Sequence, residues 1–167
     1  MRIIGIDPGV AITGYGVVDE QGSVFKHVAS GCILTGQELP AEARLELIFN
    51  QLNELLRVYC PRTIALEKIF FNKNIRTALQ VGEARGVVIL AAALSRVDLF
   101  EYTPLQVKQA VTGFGKAEKR QVKQMVQLLL ELKQKLTVDD EADALAVALC
   151  HLQHRRWNEA IKGGGKV

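Results

Sequence analysis

The amino-acid sequence predicts an α/β domain, a mixed five-stranded sheet flanked by helices, and three observations carry that expectation. Short β-branched apolar runs separated by turn residues come first, which indicates consecutive antiparallel strands. From about residue 45 the apolar period becomes that of helices. Beyond it, helices alternate with two more short apolar strands, the pattern of parallel strands joined by crossover helices. The expected order is βββαβαβααα.

Each element has its own local signal. Ile3, Ile4 and Ile6 make residues 2–6 a buried strand that ends at Asp7, and Pro8-Gly9 turns the chain. Residues 14–19 form the second strand, Gln21-Gly22 the hairpin turn, and residues 23–34 the third strand. Leu45, Ile48, Phe49, Leu52, Leu55, Leu56 and Tyr59 recur at helical spacing between Pro40, suited to a helix start, and Pro61. Residues 63–67 are a buried strand that again terminates in a carboxylate. Residues 74–93 are helical and rich in Ala and Gly, and residues 97–102 are a strand. Pro104 opens a short helix through Val111, and Thr112-Gly113-Phe114-Gly115 is a loop. Helices follow over residues 119–132 and 139–155. The expectation is one domain, residues 1–157, and a flexible tail, residues 158–167, with neither repeats nor an interdomain linker.

At 167 residues, 49% hydrophobic and 23% charged, the chain has the balance of a globular domain. The sequence leads one to expect no apolar run near membrane-spanning length, and the opening residues turn acidic too soon for a secretory signal. A soluble cytoplasmic protein that engages no membrane is therefore expected. Cys32, Cys60 and Cys150 lack any CxxC spacing, which disfavours structural zinc and a disulfide framework. The net charge of +3 is concentrated. Between residues 103 and 135, Lys108, Lys116, Lys119, Arg120, Lys123, Lys133 and Lys135 face only Glu118 and Glu131, the balance expected of a phosphate-binding face. Lys133 and Lys135 read as solvated.

Four carboxylates stand where the fold does not need them. Asp7 and Glu67 end apolar strands, and acids at one sheet edge can converge. Asp140 and Asp143, at i and i+3, share one face near the start of the last helix, whose other stripe is apolar. Each has a structural alternative: Asp7 caps a turn, and Asp140 complements the helix dipole, as Asp139 and Glu141 would. Glu67 and Asp143 are harder to explain that way, because apolar residues surround them and an unpaired buried carboxylate is costly. Oxygen-only ligands favour Mg²⁺ or Mn²⁺, and two such ions drive in-line displacement at phosphorus. In the loop after Glu67, Phe70 and Phe71 stand among Lys and Asn. Phe70 is assigned to stacking on an unpaired base and Phe71 to the core. His151 and His154 are read as complementing the C-terminal half of the last helix rather than as ligands.

Gly5-Ile6-Asp7-Pro8-Gly9 with Thr13-Gly14-Tyr15-Gly16, then Ala65-Leu66-Glu67, Gln106-Val107-Lys108-Gln109-Ala110-Val111 and Ala142-Asp143-Ala144-Leu145-Ala146 resemble, in order and across nearly the whole chain, the crossover junction endodeoxyribonuclease RuvC family of bacteria. The resemblance implies a ribonuclease H-like fold and a homodimer with two Mg²⁺-dependent sites. It implies paired symmetric nicks that resolve four-way (Holliday) DNA junctions in recombination and repair, and cooperation with a branch-migration motor complex (RuvA and RuvB). It places Asp7, Glu67, Asp140 and Asp143 on catalytic metal ligands, with two Mg²⁺ per subunit for which Mn²⁺ substitutes. Phe70 falls on the aromatic that engages junction bases, and Lys108 and Lys119 on basic residues needed for cleavage. The acidic run Val138-Asp139-Asp140-Glu141 departs from the family pattern and leaves Asp139 as a competitor to Asp140. A two-fold junction suits a C2 dimer, for which Ala78, Gly82, Ala84 and Gly86 offer either a close subunit contact or helix-on-sheet packing within one subunit. Three rival readings are an actin-like nucleotide-binding kinase, whose second lobe 167 residues leave no room for, a ribonuclease H-like nuclease acting on RNA, and a non-catalytic junction-binding protein.

Overall fold

The computed structural model describes residues 1–68 and 75–163. The elements run β1 (Arg2–Asp7), β2 (Ile12–Gln21), β3 (Val24–Leu34), α1 (Ala41–Tyr59), β4 (Thr63–Glu67), α2 (Ile75–Ser95), β5 (Asp98–Tyr102), α3 (Pro104–Thr112), α4 (Lys119–Leu129) and α5 (Asp139–Gly163). The sheet order is β3-β2-β1-β4-β5. β1, β2 and β3 pair antiparallel, and β1, β4 and β5 pair parallel, as hairpins followed by helical crossovers require.

The period of two along the strands decides which face each residue serves. Ile4 and Ile6 of β1 with Ile64 and Leu66 of β4 pack against Leu52 and Leu56 of α1 and Val88, Ala91 and Ala92 of α2. Ile3 and Ala65 pack on the other face, with Val107, Val122, Leu145 and Leu149 of α3, α4 and α5. Asp7 and Glu67 share parity with Ile3 and Ala65. Ile6 pairs with Leu66, so the two acids leave the central strands side by side on the α5 face.

α5 lies unusually close to that face because β1 and β2 present glycines to it. A β-carbon at Gly5 would stand 2.8 Å from the Ala148 nitrogen, one at Gly16 would run into Leu145, and one at Gly14 would overlap the Asp140 carbonyl. Gly5 pairs with Gly16 and Asp7 with Gly14 across the two strands, so the flat patch ends beside Asp7. Leu145, Leu149 and Leu152 are fully buried, and each contributes about 1.5–3 kcal/mol to holding α5 there.

Three expectations need correction. α5 continues to Gly163, so residues 158–163, expected in the flexible tail, are helical. Trp157, Asn158 and Glu159 are all tolerated in a helix, Arg155 and Glu159 pair at i, i+4, and the glycine run begins only at Gly163. α4 ends at Leu129 rather than Leu132, because the chain passes through a left-handed Glu131 (φ 49°). The third concerns membrane-spanning length: the stretch Ala78–Ser95 has a mean hydropathy of 1.4 and is long and apolar enough by composition to cross a membrane. Its hydropathy comes mainly from Leu79, Val81, Val87, Val88, Ile89, Leu90 and Leu94, and Gln80, Glu83 and Arg85 interrupt the run in its first half. In the fold Ala84, Val88, Ala91 and Ala92 are buried and Arg85 pairs with Glu101 of β5, while Leu79, Ile89, Leu90 and Leu94 are exposed.

Candidate active site

Asp7, Glu67 and Asp143 line one cleft of about 450 Å³, together with Lys68, Lys108 and Lys119. Two sheet strands and three helices supply these groups. Asp7 ends β1 and is followed by a turn that Thr13 fixes, its buried hydroxyl donating to the Gly9 carbonyl at 2.7 Å. Lys108 projects from α3, which starts from a capping box between Thr103 and Gln106 and stops at left-handed Gly113 (φ 75°). Lys119 is the first residue of α4, and its Nζ donates to Asp143 Oδ2 at 2.9 Å.

The acids hold one another's protons. Burial pushes the Asp7 carboxyl up to about 7, helped by the charges of Asp143, Glu67 and Asp140 and offset in part by Lys119. Burial and then Asp143 push Glu67 up to about 6, against Lys119 and Lys108. The hydrogen bond to Asp143 raises the Lys119 ammonium above its ordinary value. Asp7 thus feels all three other acids, which is the physical sense in which the four form one cluster.

Asp140 and Asp139 part company. Asp140 reaches Asp7 electrostatically and lines an adjoining groove with Gly9, Val10 and Arg44. Asp139 is 63% exposed and accepts a hydrogen bond from Lys123 Nζ at 2.9 Å, which lowers its carboxyl. Consecutive helical residues point about 100° apart, since 3.6 residues make a turn, so only one of the pair faces the cluster. Glu141 faces a third way and accepts from Ser30 Oγ at 2.6 Å, latching the first turn of α5 to β3.

Phe70 and Phe71 lie outside the described residues. His151 is buried with Nδ1 2.8 Å from the Tyr102 hydroxyl, and His154 stacks on the same ring. Burial lowers His151 to about 4, so it stays neutral in the core. Sequence reasoning did not single out Gly5 and Gly16 as docking positions for α5, nor Thr13 as a clamp on the turn. The signal was present, since glycines spaced along strands mark close backbone approach.

A donor set of hard carboxylate oxygens suits Mg²⁺ or Mn²⁺. Asp7 and Glu67 accept no hydrogen bond from a cationic side chain among the described residues, and burial and then the neighbouring acids push both towards neutrality. Among the described residues no three such side chains already stand at the spacing of one ion's ligands. The Lys119 ammonium occupies Asp143 instead. The chemistry of the site fits a divalent cation, on condition that Lys119 yields Asp143.

A sheet ordered β3-β2-β1-β4-β5, with acids at the ends of its central parallel strands and on a helix packed across them, defines a ribonuclease H-like protein. The family model described as crossover junction endodeoxyribonuclease RuvC matches residues 3–151. The chain is 53% identical over 163 residues to the crossover junction endodeoxyribonuclease RuvC of Brevibacillus brevis, covering 98% of both chains. It is 53% identical over 162 residues to that of Pelotomaculum thermopropionicum, covering 97% of this chain and 99% of the other. The structure of T. thermophilus RuvC in complex with a Holliday junction substrate superposes with a TM-score of 0.90 at 36% identity, covering 95% and 96% of the two chains. The yeast mitochondrial Holliday junction resolvase shares the fold at a TM-score of 0.68 and 15% identity. The chain belongs to the crossover junction endodeoxyribonuclease RuvC family.

Proposed function

We propose that the protein resolves four-way DNA junctions by paired symmetric nicks that depend on Mg²⁺, with Mn²⁺ able to substitute. The convergence of Asp7, Glu67 and Asp143 in a cleft walled by Lys108 and Lys119 carries this reading. Asp7, Glu67, Asp140 and Asp143 would hold the cations. When bound, they supply Lewis-acid polarisation of the phosphodiester and a more acidic attacking water. Lys108 and Lys119 place positive charge beside the acids, where a DNA phosphate would otherwise be repelled. Phe70 follows Glu67 closely in sequence and is assigned to stacking on a junction base. Motor proteins of the RuvA and RuvB kind are the expected partners, and the cytoplasm the expected compartment. The test is a synthetic mobile four-way junction incubated with Mg²⁺ or EDTA, beside linear duplex and structured RNA. Symmetric nicks in the junction alone, lost in EDTA, support the proposal. Cutting of RNA with the junction left intact would replace it with the RNA-processing reading.

Lys119 has two tasks that conflict. In the metal-free protein its ammonium neutralises Asp143, and in catalysis it faces a phosphate. Lys119→Met is therefore expected to tighten Mg²⁺ binding in the absence of DNA, read as a larger thermal shift at limiting Mg²⁺. The same variant lowers single-turnover cleavage by about 10²-fold, the usual cost of losing one positioned charge donor. Equal Mg²⁺ affinity in the two proteins would show that the ammonium and the cation do not compete.

The homodimer is assigned to α2. Its inner side is core, while Leu79, Ile89, Leu90 and Leu94 face outward beside Gly82 and Gly86, where nothing lies within 4 Å of an added β-carbon. Such an apolar stripe has the chemistry of a subunit contact, and small residues let two backbones approach. Leu90→Lys is expected to weaken self-association at least tenfold, since one buried Leu contributes about 1.5–3 kcal/mol. Sedimentation of the variant and wild type at micromolar concentration checks this, and a wild-type monomer would remove the assignment.

A further inference from the structure

We infer that Arg44 is a phosphate-binding residue for the DNA strand, in a second groove adjoining the carboxylate cleft; the inference rests on the DNA-cleaving reading above. The groove is lined by the β1–β2 turn, from Gly9 to Ile12, together with Gln37, Gln80, Val81, Asp140 and Arg44. It continues the cleft, because Val81 lines both and because Pro8 of the cleft is followed directly by Gly9 of the groove. Arg44 is the only basic residue among its described lining.

The guanidinium is built into place. Its Nε donates to Thr35 Oγ1 at 2.8 Å, and that hydroxyl in turn donates to the Val10 carbonyl. Thr35 is buried, and its backbone nitrogen donates to the Ala11 carbonyl at 3.1 Å. The arginine is thus tied through one threonine to the turn that follows Asp7. Among the described residues neither terminal nitrogen of Arg44 has a hydrogen-bond acceptor or a carboxylate partner. The other paired arginines, Arg2, Arg57, Arg85, Arg155 and Arg156, all engage acids. An anchored Nε with both terminal nitrogens left over presents a fork suited to phosphate oxygens, and its ordering is already accomplished before DNA arrives.

Electrostatics gives the reason for a cation here. A strand whose scissile phosphate lies among Asp7, Glu67 and Asp143 must carry its next phosphates past further acids. Lys108 and Lys119 serve one side. On the side of Asp140, Arg44 is the basic group in the described groove lining that can take a neighbouring phosphate, and Thr35 ties it to the turn.

The experiment measures equilibrium binding of a four-way junction without divalent cation, over a range of NaCl concentrations, for the wild-type chain, R44Q and R44K. Each phosphate contact contributes about 0.9 to the slope of log affinity against log salt on duplex DNA, and about 0.7 on a single strand. R44Q is expected to lose about that much slope, while R44K keeps the wild-type slope because it keeps the charge. An unchanged slope in R44Q overturns the assignment. So does an equal fall in R44Q and R44K, since the lost group would then be the Thr35 anchor and not a charge on phosphate. A wild-type chain that binds no junction would overturn the DNA-cleaving reading together with it, which separates that failure from failure of Arg44 alone.

Discussion

Asp7→Asn is expected to lower junction cleavage by about 10³-fold or more, with junction binding little changed. Loss of one carboxylate charge from the centre of the cluster removes several kcal/mol of cation-dependent transition-state stabilisation, at 1.36 kcal/mol per tenfold. The lysines and the rest of the DNA surface are untouched, and most contacts to DNA are to its backbone. The same substitution should stabilise the protein when no metal is present. The Asp7 carboxyl is raised from 3.8 to about 7 in the fold, so the fold favours its protonated form. The unfavourable contribution is absent below about pH 4, grows as pH rises towards 7, and is fully present above it. Glu67, raised to about 6, acts in the same direction. Metal-free wild type should therefore lose stability between pH 4 and 7, and the asparagine variant should lose less. At pH 8 the variant should melt a few degrees higher, at about 2–4 °C per kcal/mol for a chain of this size, and Mg²⁺ should remove the difference by stabilising only the wild type. Thermal melts at pH 4 and pH 8, with and without Mg²⁺, read this directly. Wild-type cleavage by the variant would show that the carboxylate is not a ligand the reaction needs.

The sheet and the strand-end positions of Asp7 and Glu67 were legible because they depend on local periodicity, and the i, i+3 spacing put Asp140 and Asp143 on one helix face. Strand parity alone puts Asp7 with Ile3 and Glu67 with Ala65, and both strands announce themselves by β-branched runs. The relation of α5 to the sheet was not legible in the same way. Gly5, Gly14 and Gly16 indicate that something approaches closely, and only the folded chain shows that it is the first turns of α5. The choice between Asp139 and Asp140 likewise needed a partner from elsewhere, since Lys123 on α4 draws Asp139 aside. α2 misleads for a different reason. Its apolar residues serve two faces at once, Ala84, Val88, Ala91 and Ala92 in the core on one side and Leu79, Ile89, Leu90 and Leu94 exposed on the other, so no single apolar stripe marks which face is the core. Arg44 sits in a helical pattern with nothing local to distinguish it, because its anchor Thr35 lies on the far side of a loop.

Two glycine substitutions should have opposite consequences, and the contrast isolates how the fold builds the site. Gly14→Ala forces a β-carbon into the Asp140 carbonyl and within 3.1 Å of the Glu141 nitrogen. Both are backbone atoms, so relief requires the first turn of α5 to lift. Overpacking of this kind costs about 1–3 kcal/mol. The larger effect is on the cluster, because Asp140 and Asp143 ride on that turn while Asp7 stays with β1. Mg²⁺ affinity, read by thermal shift without DNA, should fall at least tenfold, and cleavage should fall with it even at temperatures where the variant is fully folded. Gly82→Ala adds the same methyl where nothing lies within 4 Å, in a helix interior where Ala is favoured over Gly by about 1 kcal/mol. It should leave Mg²⁺ affinity unchanged and stabilise the subunit, while weakening self-association if α2 helices pack closely at that point. A Gly14→Ala protein that is destabilised yet binds Mg²⁺ as tightly as wild type would mean that α5 pivots without carrying its acids away from Asp7. The glycine patch would then serve packing alone. Loss of Mg²⁺ affinity in a folded variant would make the close seating of α5 part of the site itself, since no bulkier strand could bring acids from β1, β4 and α5 to one place.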